Sequence, residues 1–212
     1  MSITNEIKHM SEQMYRQRMA AHGESAKGVD WKDEHAQLVR LEQLSKVIGN
    51  EHRFSLNDLG CGLSPFPDFL TANGHSDFTY RGYDILELMV EKSAALHQGK
   101  DHCTFHHIAE ASQMQEADYT TASGIFHNTF GRVSQPAWLE YVLETLVAMN
   151  TKSRKGFAFN ALTLYSDPEF MKPNLYYADP CFLFDFCKRN LAKDVALLHD
   201  YRVYEFTILV RK

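Results

Sequence analysis

The sequence predicts an α/β fold in which helices cover both faces of a doubly wound, mostly parallel sheet. From residue 54 onward, short apolar segments that end in glycine or a polar residue alternate with segments of helical periodicity. Such alternation is typical of parallel strands joined by right-handed helical crossovers. The final segment, VALLHDYRVYEFTILVRK, contains two strand patterns separated by a few residues, which predicts an antiparallel hairpin in the same sheet.

Two helices are predicted ahead of the sheet. The first covers residues 5–20, where Ile7, Met10, Met14 and Met19 form one apolar stripe. The second begins near Asp33 and has acidic residues at its start, which suits a helix N-terminus. Its apolar face is predicted to comprise Leu38, Leu41, Leu44, Val47 and Ile48. We expect residues 1–50 to form a helical cap and residues 51–212 to form the main domain.

The main domain follows the same alternation to its end. Strands are predicted at FSLNDLG, FTYRGYDI, CTFHHI, ADYTTASGIF and KGFAFNALT, and helices at PFPDFLTANG, LELMVEKSAALHQG, PAWLEYVLETLVAMN and CFLFDFCKRNLA. The basic run KSRK at 152–155 is predicted to be a solvated turn. The proline-rich segment at 163–180 has no clear period and exceeds the usual length of a connection, so we interpret it as a loop that caps a substrate.

Composition excludes several classes of protein. The formal charge of -5 and the pI near 6.1 disfavour nucleic acid as a partner, because nucleic-acid binding surfaces are generally basic. No apolar stretch reaches the length of a membrane span, and the polar N-terminal residues lack the apolar core of a signal peptide. These features favour a cytoplasmic protein. The four cysteines form no CxxC pair, which favours reduced thiols over disulfides.

The stretch LNDLGCGLS at 56–64 carries the strongest functional signal. Gly60 and Gly62 follow a predicted strand and precede a helix, so the backbone there can turn tightly and approach a ligand. A dinucleotide fingerprint would require a third glycine where this chain has Pro65. Asp58 would also repel a pyrophosphate, whereas a carboxylate suits a hydroxyl or ammonium group. Asp84 ends the next strand, a position from which carboxylates bind ribose hydroxyls.

LNDLGCG followed by YRGYDI resembles the first two motifs of the class I S-adenosylmethionine-dependent methyltransferases. This resemblance implies a Rossmann-like, seven-stranded sheet that ends in an antiparallel hairpin, with S-adenosylmethionine as the cofactor. Ser64 departs from the pattern, because many members have a third glycine there. By resemblance, the cofactor-binding residues would be Asp58, Gly60, Cys61, Gly62, Asp84, Ile85, Ala109, Glu110, Ser123 and Gly124, with Trp31 and Arg40 from the cap.

The segments FAFNALTLYSDP, YYADP and HDYRVYEFTILVRK are similar to a bacterial subgroup that methylates small molecules. Within that resemblance, Arg40 could pair with the carboxylate of the cofactor. His127 follows the fourth strand, where the methyl group would emerge, and is a candidate general base. The candidate substrate-binding residues are Asn160, Tyr165, Tyr176 and Tyr177. The tyrosines could equally serve only to pack the long loop.

Two other patterns are interpreted as structural. Cys61 could be an activated nucleophile at a helix entrance, but packing is the preferred interpretation because buried cysteines usually behave as small apolar residues. In HCTFHH, the histidines and the cysteine alternate between the two sides of a strand, so we expect no metal site. The resemblance implies methyl transfer to a small polar acceptor, such as the hydroxyl group of a sugar or sugar nucleotide. A non-catalytic cofactor-binding protein and a nicotinamide oxidoreductase remain alternatives.

Overall fold

The computed structural model describes residues 3–23 and 34–212. Two helices come first, α1 (Ile3–His22) and α2 (Glu34–Ser45). The strands are β1 (Arg53–Leu59), β2 (Asp77–Asp84), β3 (Cys103–His107), β4 (Ala117–Ala122), β5 (Ser153–Leu162), β6 (Asp194–Leu198) and β7 (Glu205–Arg211). The remaining helices are α3 (Phe66–Ala72), α4 (Glu87–Leu96), α5 (Gln135–Lys152) and α6 (Pro180–Asn190), and short 3₁₀ turns occur at Ala111–Gln113 and Pro168–Phe170.

The seven strands form one sheet in the order β3-β2-β1-β4-β5-β7-β6. Only β7 runs antiparallel to its neighbours, β5 and β6. The chain moves outward from β1 to β3 and then returns to the other side through β4, so the strand order reverses between β1 and β4. Ligands of open α/β sheets bind at the carboxyl ends of the strands beside such a reversal. The predicted fold class and the C-terminal hairpin are confirmed.

Apolar side chains fill both faces of the sheet. On one face, α2 and α3 contribute Leu41, Leu44, Phe66 and Leu70 to a cluster with residues of the strands. On the other face, the large side chain of Trp138 in α5 belongs to a second cluster, which also includes residues of α6. Helices on both faces account for the almost continuously buried pattern of β4 and β7.

Helix α2 packs on the sheet over only part of its length. Leu41 and Leu44 are buried, but Leu38 is 50% exposed, so its predicted place on the buried face is wrong. The buried side chains begin one turn later, where the helix reaches the sheet. Because the apolar face of α2 belongs to the same core as the sheet, this helix is integral to the layered structure. The division into a cap at 1–50 and a main domain at 51–212 stays a prediction.

Three element boundaries differ from the sequence prediction. KSRK is not a solvated turn, because α5 ends at Lys152 and β5 begins at Ser153 without a loop. The buried Ser153 hydroxyl donates to the carbonyl oxygen of Met149 at 2.7 Å, which links the helix to the strand. Strand β4 ends at Ala122, so SGIF lies in the following turn, and β2 ends at Asp84, before Ile85.

Candidate functional site

The glycine turn follows β1 directly and has the backbone conformation that its sequence predicts. Gly60 and Gly62 have φ angles of 72° and 54°, values that side chains strongly disfavour. The N–H groups of Gly60 and Cys61 both donate to the carbonyl oxygen of Tyr83, at 2.7 and 3.1 Å. A Cβ atom on Gly60 would lie 2.2 Å from Cγ2 of Ile125. Glycine at this position therefore lets the turn after β4 pack against the turn after β1.

Helix α4 supports the glycine turn from behind. Ser93 donates to the carbonyl oxygen of Gly62 at 2.6 Å, and His97 Nε2 lies 2.8 Å from the carbonyl oxygen of Ser64. Ser64 has a φ of 54°, so it adopts the left-handed conformation that favours glycine. Both side chains are buried, that of Ser93 within α4 and that of His97 directly after it. The inward-facing carbonyl groups of the turn are thus satisfied by side chains that sequence reasoning did not identify.

Asp84 joins the end of β2 to the glycine turn. Its carboxylate accepts from the N–H of Gly62 at 3.1 Å and from the N–H of Leu86 at 2.9 Å. Burial raises the pKa of Asp84 to about 6, although the hydrogen bonds from the backbone oppose that rise. Asp84 therefore lies where the sequence places it, beside the turn and at the carboxyl edge of the sheet.

Asp58 points toward the neighbouring strands. Its carboxylate accepts from the hydroxyl of Tyr80 at 2.7 Å on one side and from that of Thr121 at 3.1 Å on the other. Burial raises the pKa of Asp58 to about 6, against the lowering effect of these two hydrogen bonds. The charge of Asp84 also contributes to this rise, so the two predicted acids act on each other electrostatically.

Cys61 is buried between the two acids and the sheet. Burial, followed by the charges of Asp84 and Asp58, raises the pKa of its thiol well above the usual value. A Cβ atom on Gly82 would lie 2.9 Å from its sulfur, so the thiol packs closely against β2. A protonated, buried thiol is a poor nucleophile, which agrees with the packing interpretation.

The other predicted cofactor residues lie on the same edge of the sheet. Ile85 follows β2, and its carbonyl oxygen is 3.2 Å from Nε2 of His107 at the end of β3. Ala109 and Glu110 follow β3 and are exposed; their N–H groups contact Oε1 of Gln113 at 2.6 and 3.3 Å. The cap residue Trp31 lies outside the described residues.

A second set of predicted residues meets at the ends of β4 and β5. The N–H of Gly124 donates to Oδ1 of Asn160 at 2.8 Å, and Nδ2 of Asn160 lies 3.4 Å from the hydroxyl of Ser123. Asn160 Nδ2 also donates to Glu205 Oε2 at 3.0 Å. His127 belongs to the same group, because its Nε2 atom is 3.9 Å from that carboxylate oxygen.

Glu205 is the principal residue of this group that sequence reasoning missed. It begins β7, and 2% of its surface is exposed. Nε of Arg40 donates to its two oxygens at 2.9 and 2.8 Å, and Nη2 of Arg40 contacts Oε1. Arg40 thus pairs with a protein carboxylate in this structure. One sequence signal was available, since a glutamate that begins a mostly apolar strand requires a charged partner.

The three loop tyrosines occupy different environments. Tyr176 is buried, and its N–H donates to the carbonyl oxygen of His127 at 2.8 Å. Tyr165 is 68% exposed and packs on His199 with 5.8 Å between the ring centroids. The hydroxyl of Tyr177 accepts from the backbone N–H of Lys172 at 2.9 Å, within the loop itself. The structure therefore brings Tyr176 to the candidate base and leaves the other two tyrosines apart from it.

Helix α1 extends over this edge of the sheet. Lys8 Nζ lies 3.3 Å from Nε2 of His107, and Nδ2 of Asn128 contacts the sulfur of Met14 at 3.5 Å. Within residues 3–23 and 34–212, no three His, Cys, Asp or Glu side chains are grouped as metal ligands. The described helices also include none with the length and apolar character needed to cross a bilayer.

Comparison with known proteins relates the sequence to a methyltransferase. No family model matches the chain. The curated protein "Putative methyltransferase Rv1506c" of Mycobacterium tuberculosis is 47% identical over 167 residues, which cover 79% of this chain and 98% of that protein. This identity over nearly the whole length of the relative shows common family membership.

Two solved structures share the fold at much lower sequence identity. Magnesium protoporphyrin IX methyltransferase from Synechocystis PCC 6803, with bound SAH, is 10% identical and has a TM-score of 0.64. The match covers 100% of this chain and 100% of that one. A SAM-dependent methyltransferase from Leishmania major is 14% identical with a TM-score of 0.64, covering 97% of this chain and 83% of that one. Both of these similarities bear on the architecture alone.

Proposed function

Because the chain belongs to the class I S-adenosylmethionine-dependent methyltransferases, we propose that it methylates a small polar acceptor at the carboxyl edge of its sheet. As a member of this family, the protein is an enzyme and uses S-adenosylmethionine as its cofactor. One observation supports this location of the active site most directly. The glycine turn, the buried acids Asp58 and Asp84, and His127 all lie at the carboxyl edge of the sheet.

The chemistry of the donor set fits a nucleoside that carries an amino-acid tail. Asp58 and Asp84 are buried beside the glycine turn, and carboxylates accept hydrogen bonds from hydroxyl and ammonium groups. The same two acids would repel a pyrophosphate, and the departure from the dinucleotide fingerprint at Pro65 adds to that argument. We assign Asp84 to the ribose hydroxyls and the turn at Gly60 and Gly62 to the methionine portion, with Ile85 against the adenine.

The reaction needs alignment and the removal of one proton. When bound, S-adenosylmethionine would supply an electrophilic methyl group for the acceptor oxygen and would leave as a neutral thioether. His127 takes the proton that the acceptor hydroxyl loses. Asn160 accepts a 2.8 Å hydrogen bond from the N–H of Gly124. This bond positions the turn after β4, which also contains His127.

The acceptor is proposed to be a small hydroxylated molecule, with sugars and sugar nucleotides as the first class to test. Tyr176 supports this proposal, because its backbone N–H bonds the carbonyl oxygen of His127 and tyrosines commonly line small-ligand pockets. The loop at 163–180 runs past His127, with backbone contacts from Tyr176 to His127 and from Thr129 to Asn174. These contacts support the proposal that the loop limits the size of the acceptor and excludes water.

A radiolabel experiment tests the proposal. The purified protein is incubated with methyl-labelled S-adenosylmethionine and the small-molecule fraction of a cell extract, and the extract's macromolecules are assayed separately. We expect label in a small molecule, and a panel of sugars and sugar nucleotides then narrows the class. Label only in protein or nucleic acid would overturn the assignment of a small acceptor.

A further inference from the structure

Glu205 connects elements that are distant in sequence. Its side chain is reached by Arg40 from α2, by Asn160 from β5 and, at 3.9 Å, by His127 from the turn after β4. Antiparallel pairing places Glu205 opposite Leu162, at the end of β5 where the proposed acceptor binds. One buried carboxylate therefore lies between the N-terminal helices and the candidate base.

The burial of this charge requires an explanation. Removing a carboxylate from water is costly, and a buried ion pair commonly adds little net stability compared with apolar residues of the same volume. The partners of Glu205 nevertheless match a carboxylate closely, since Arg40 bonds both oxygens through Nε and Asn160 adds a third hydrogen bond at 3.0 Å. A function for the charge itself explains this arrangement better than stability does.

We propose that Glu205 is a positioning residue of the methyl-transfer site, which sets the charge state of His127 and is itself oriented by Arg40 and Asn160. This inference rests on the proposed function, because it assumes that His127 accepts the acceptor proton. A negative charge 3.9 Å from Nε2 favours the imidazolium that proton transfer produces. The positive charge of Arg40 on the same carboxylate opposes that effect.

The charged groups around Glu205 determine whether a substitution raises or lowers the pKa of His127. Arg40 faces Glu205 from α2, His127 faces it from the turn after β4, and β5 contributes the neutral Asn160. From the loop between β6 and β7, Tyr201 interacts with both Glu205 and Arg40, and Asp200 lies near Tyr201. Burial, together with the charge of Glu205, raises the pKa of Tyr201, so this tyrosine stays neutral throughout the range in which histidine titrates.

Two substitutions are expected to move the pKa of His127 in opposite directions. Glu205→Gln removes the negative charge, which should lower that pKa by about one pH unit or more. Arg40→Gln removes the positive charge and leaves the carboxylate, which should raise the pKa by about 0.5 pH units or more. Arg40→Lys keeps the charge and should remain near the wild-type value. A residue that only maintains the fold would not produce shifts of opposite sign.

Nuclear magnetic resonance of histidine-labelled protein tests the inference without knowledge of the acceptor. His127→Gln identifies the resonance, and each variant is titrated with and without S-adenosylhomocysteine. The control is Glu51→Gln, which removes a carboxylate that pairs with Lys155 at the amino end of β5 and should leave His127 unchanged. Unfolding temperatures identify any variant that fails to fold. If Glu205→Gln fails to fold, the titrations of Arg40→Gln and Arg40→Lys test the inference.

The outcomes separate this inference from the function on which it rests. Opposite shifts of the His127 pKa, in folded variants that still bind S-adenosylhomocysteine, support the role of Glu205. Retained affinity with no shift in either charge-removing variant would overturn the inference and leave the proposed function intact. Failure of the wild-type protein to bind S-adenosylhomocysteine would instead contradict the proposed function.

Discussion

Ser93 in α4 donates a 2.6 Å hydrogen bond to the carbonyl oxygen of Gly62, 31 residues earlier in the chain. The Ser93 side chain is fully buried. The contact makes the shape of the glycine turn depend on a helix that has no motif of its own.

Ser93→Ala should weaken cofactor binding without a direct contact to the cofactor. The substitution leaves the carbonyl group of Gly62 buried without this donor, at a cost of about 1–3 kcal/mol. We expect a lower unfolding temperature and about tenfold weaker binding of S-adenosylhomocysteine by calorimetry. Ser45→Ala is the control, because the Ser45 hydroxyl is exposed and bonds only within its own turn. Unchanged affinity in Ser93→Ala would show that the turn keeps its shape without α4.

Gly60→Ala should abolish or severely weaken cofactor binding. The new methyl group would lie 2.2 Å from Ile125 and would also strain a backbone with a φ of 72°. Gly74→Ala isolates the strain, because Gly74 has a φ of 90° and no atom within 4 Å of an added Cβ. Gly74→Ala should cost about 1–2 kcal/mol in unfolding experiments. Gly60→Ala should cost clearly more, and equal losses would argue against close packing of the two turns.

Asp58→Asn should stabilise the protein at alkaline pH. Burial raises the pKa of Asp58 to about 6, so the fold favours the protonated acid. That contribution to stability is present below about pH 4 and is lost as the pH rises through 6. Asparagine never ionises and can still accept the bond from Tyr80. Its amide can donate to Thr121, whose hydroxyl can donate to the carbonyl oxygen of Asn57.

Thermal unfolding of Asp58→Asn at pH 4 and pH 8 tests whether the substitution stabilises the protein at alkaline pH. The variant should unfold at the wild-type temperature at pH 4 and at a higher temperature at pH 8, with a gain of at most roughly 3 kcal/mol. Asp118→Asn should behave in the opposite way. Burial tends to raise the pKa of Asp118, but hydrogen bonds from Ser55 and the charge of Arg154 outweigh it and lower that pKa. Destabilisation of Asp58→Asn at pH 8 would contradict the assignment.

His127→Gln should reduce turnover much more than cofactor affinity. Loss of a general base typically lowers rates by about 10²–10⁴-fold, whereas the glycine turn and Asp84 remain intact. The measurement compares label transfer to small molecules with calorimetric binding of S-adenosylhomocysteine. His106→Gln is the control, because His106 lies on β3 and contacts Thr104 at 3.1 Å. Equal transfer by His127→Gln and wild type would exclude His127 as the base.

The sequence predicts the elements that obey local rules and misses those that depend on tertiary contacts. Period-two and helical patterns identify the strands and helices, and the glycine turn is recognisable because its φ angles exclude most residues. Leu38 fits the same helical pattern as Leu41, yet the extent of the sheet leaves it exposed. Local periodicity contains no information on where a neighbouring layer ends.

In the candidate site, too, some contacts follow from local rules and others depend on tertiary structure. Asp84 and Gly62 are predictable because adjacent parallel strands bring their carboxyl ends together. The pairing of Arg40 with Glu205 joins residues 165 positions apart, and no short motif encodes such a contact. Glu205 is recognisable only as a charge that begins an apolar strand.

The binding of S-adenosylhomocysteine to Asp84→Ala tests the central claim most directly. The claim is that the carboxyl ends of β1 and β2 hold the nucleoside, with Asp84 on the ribose. Asp77→Ala is the matched control, since Asp77 begins the same strand at the opposite edge and is exposed. Calorimetry should show binding by wild type and Asp77→Ala, and at least about tenfold weaker binding by Asp84→Ala. Wild-type affinity in Asp84→Ala would contradict the claim.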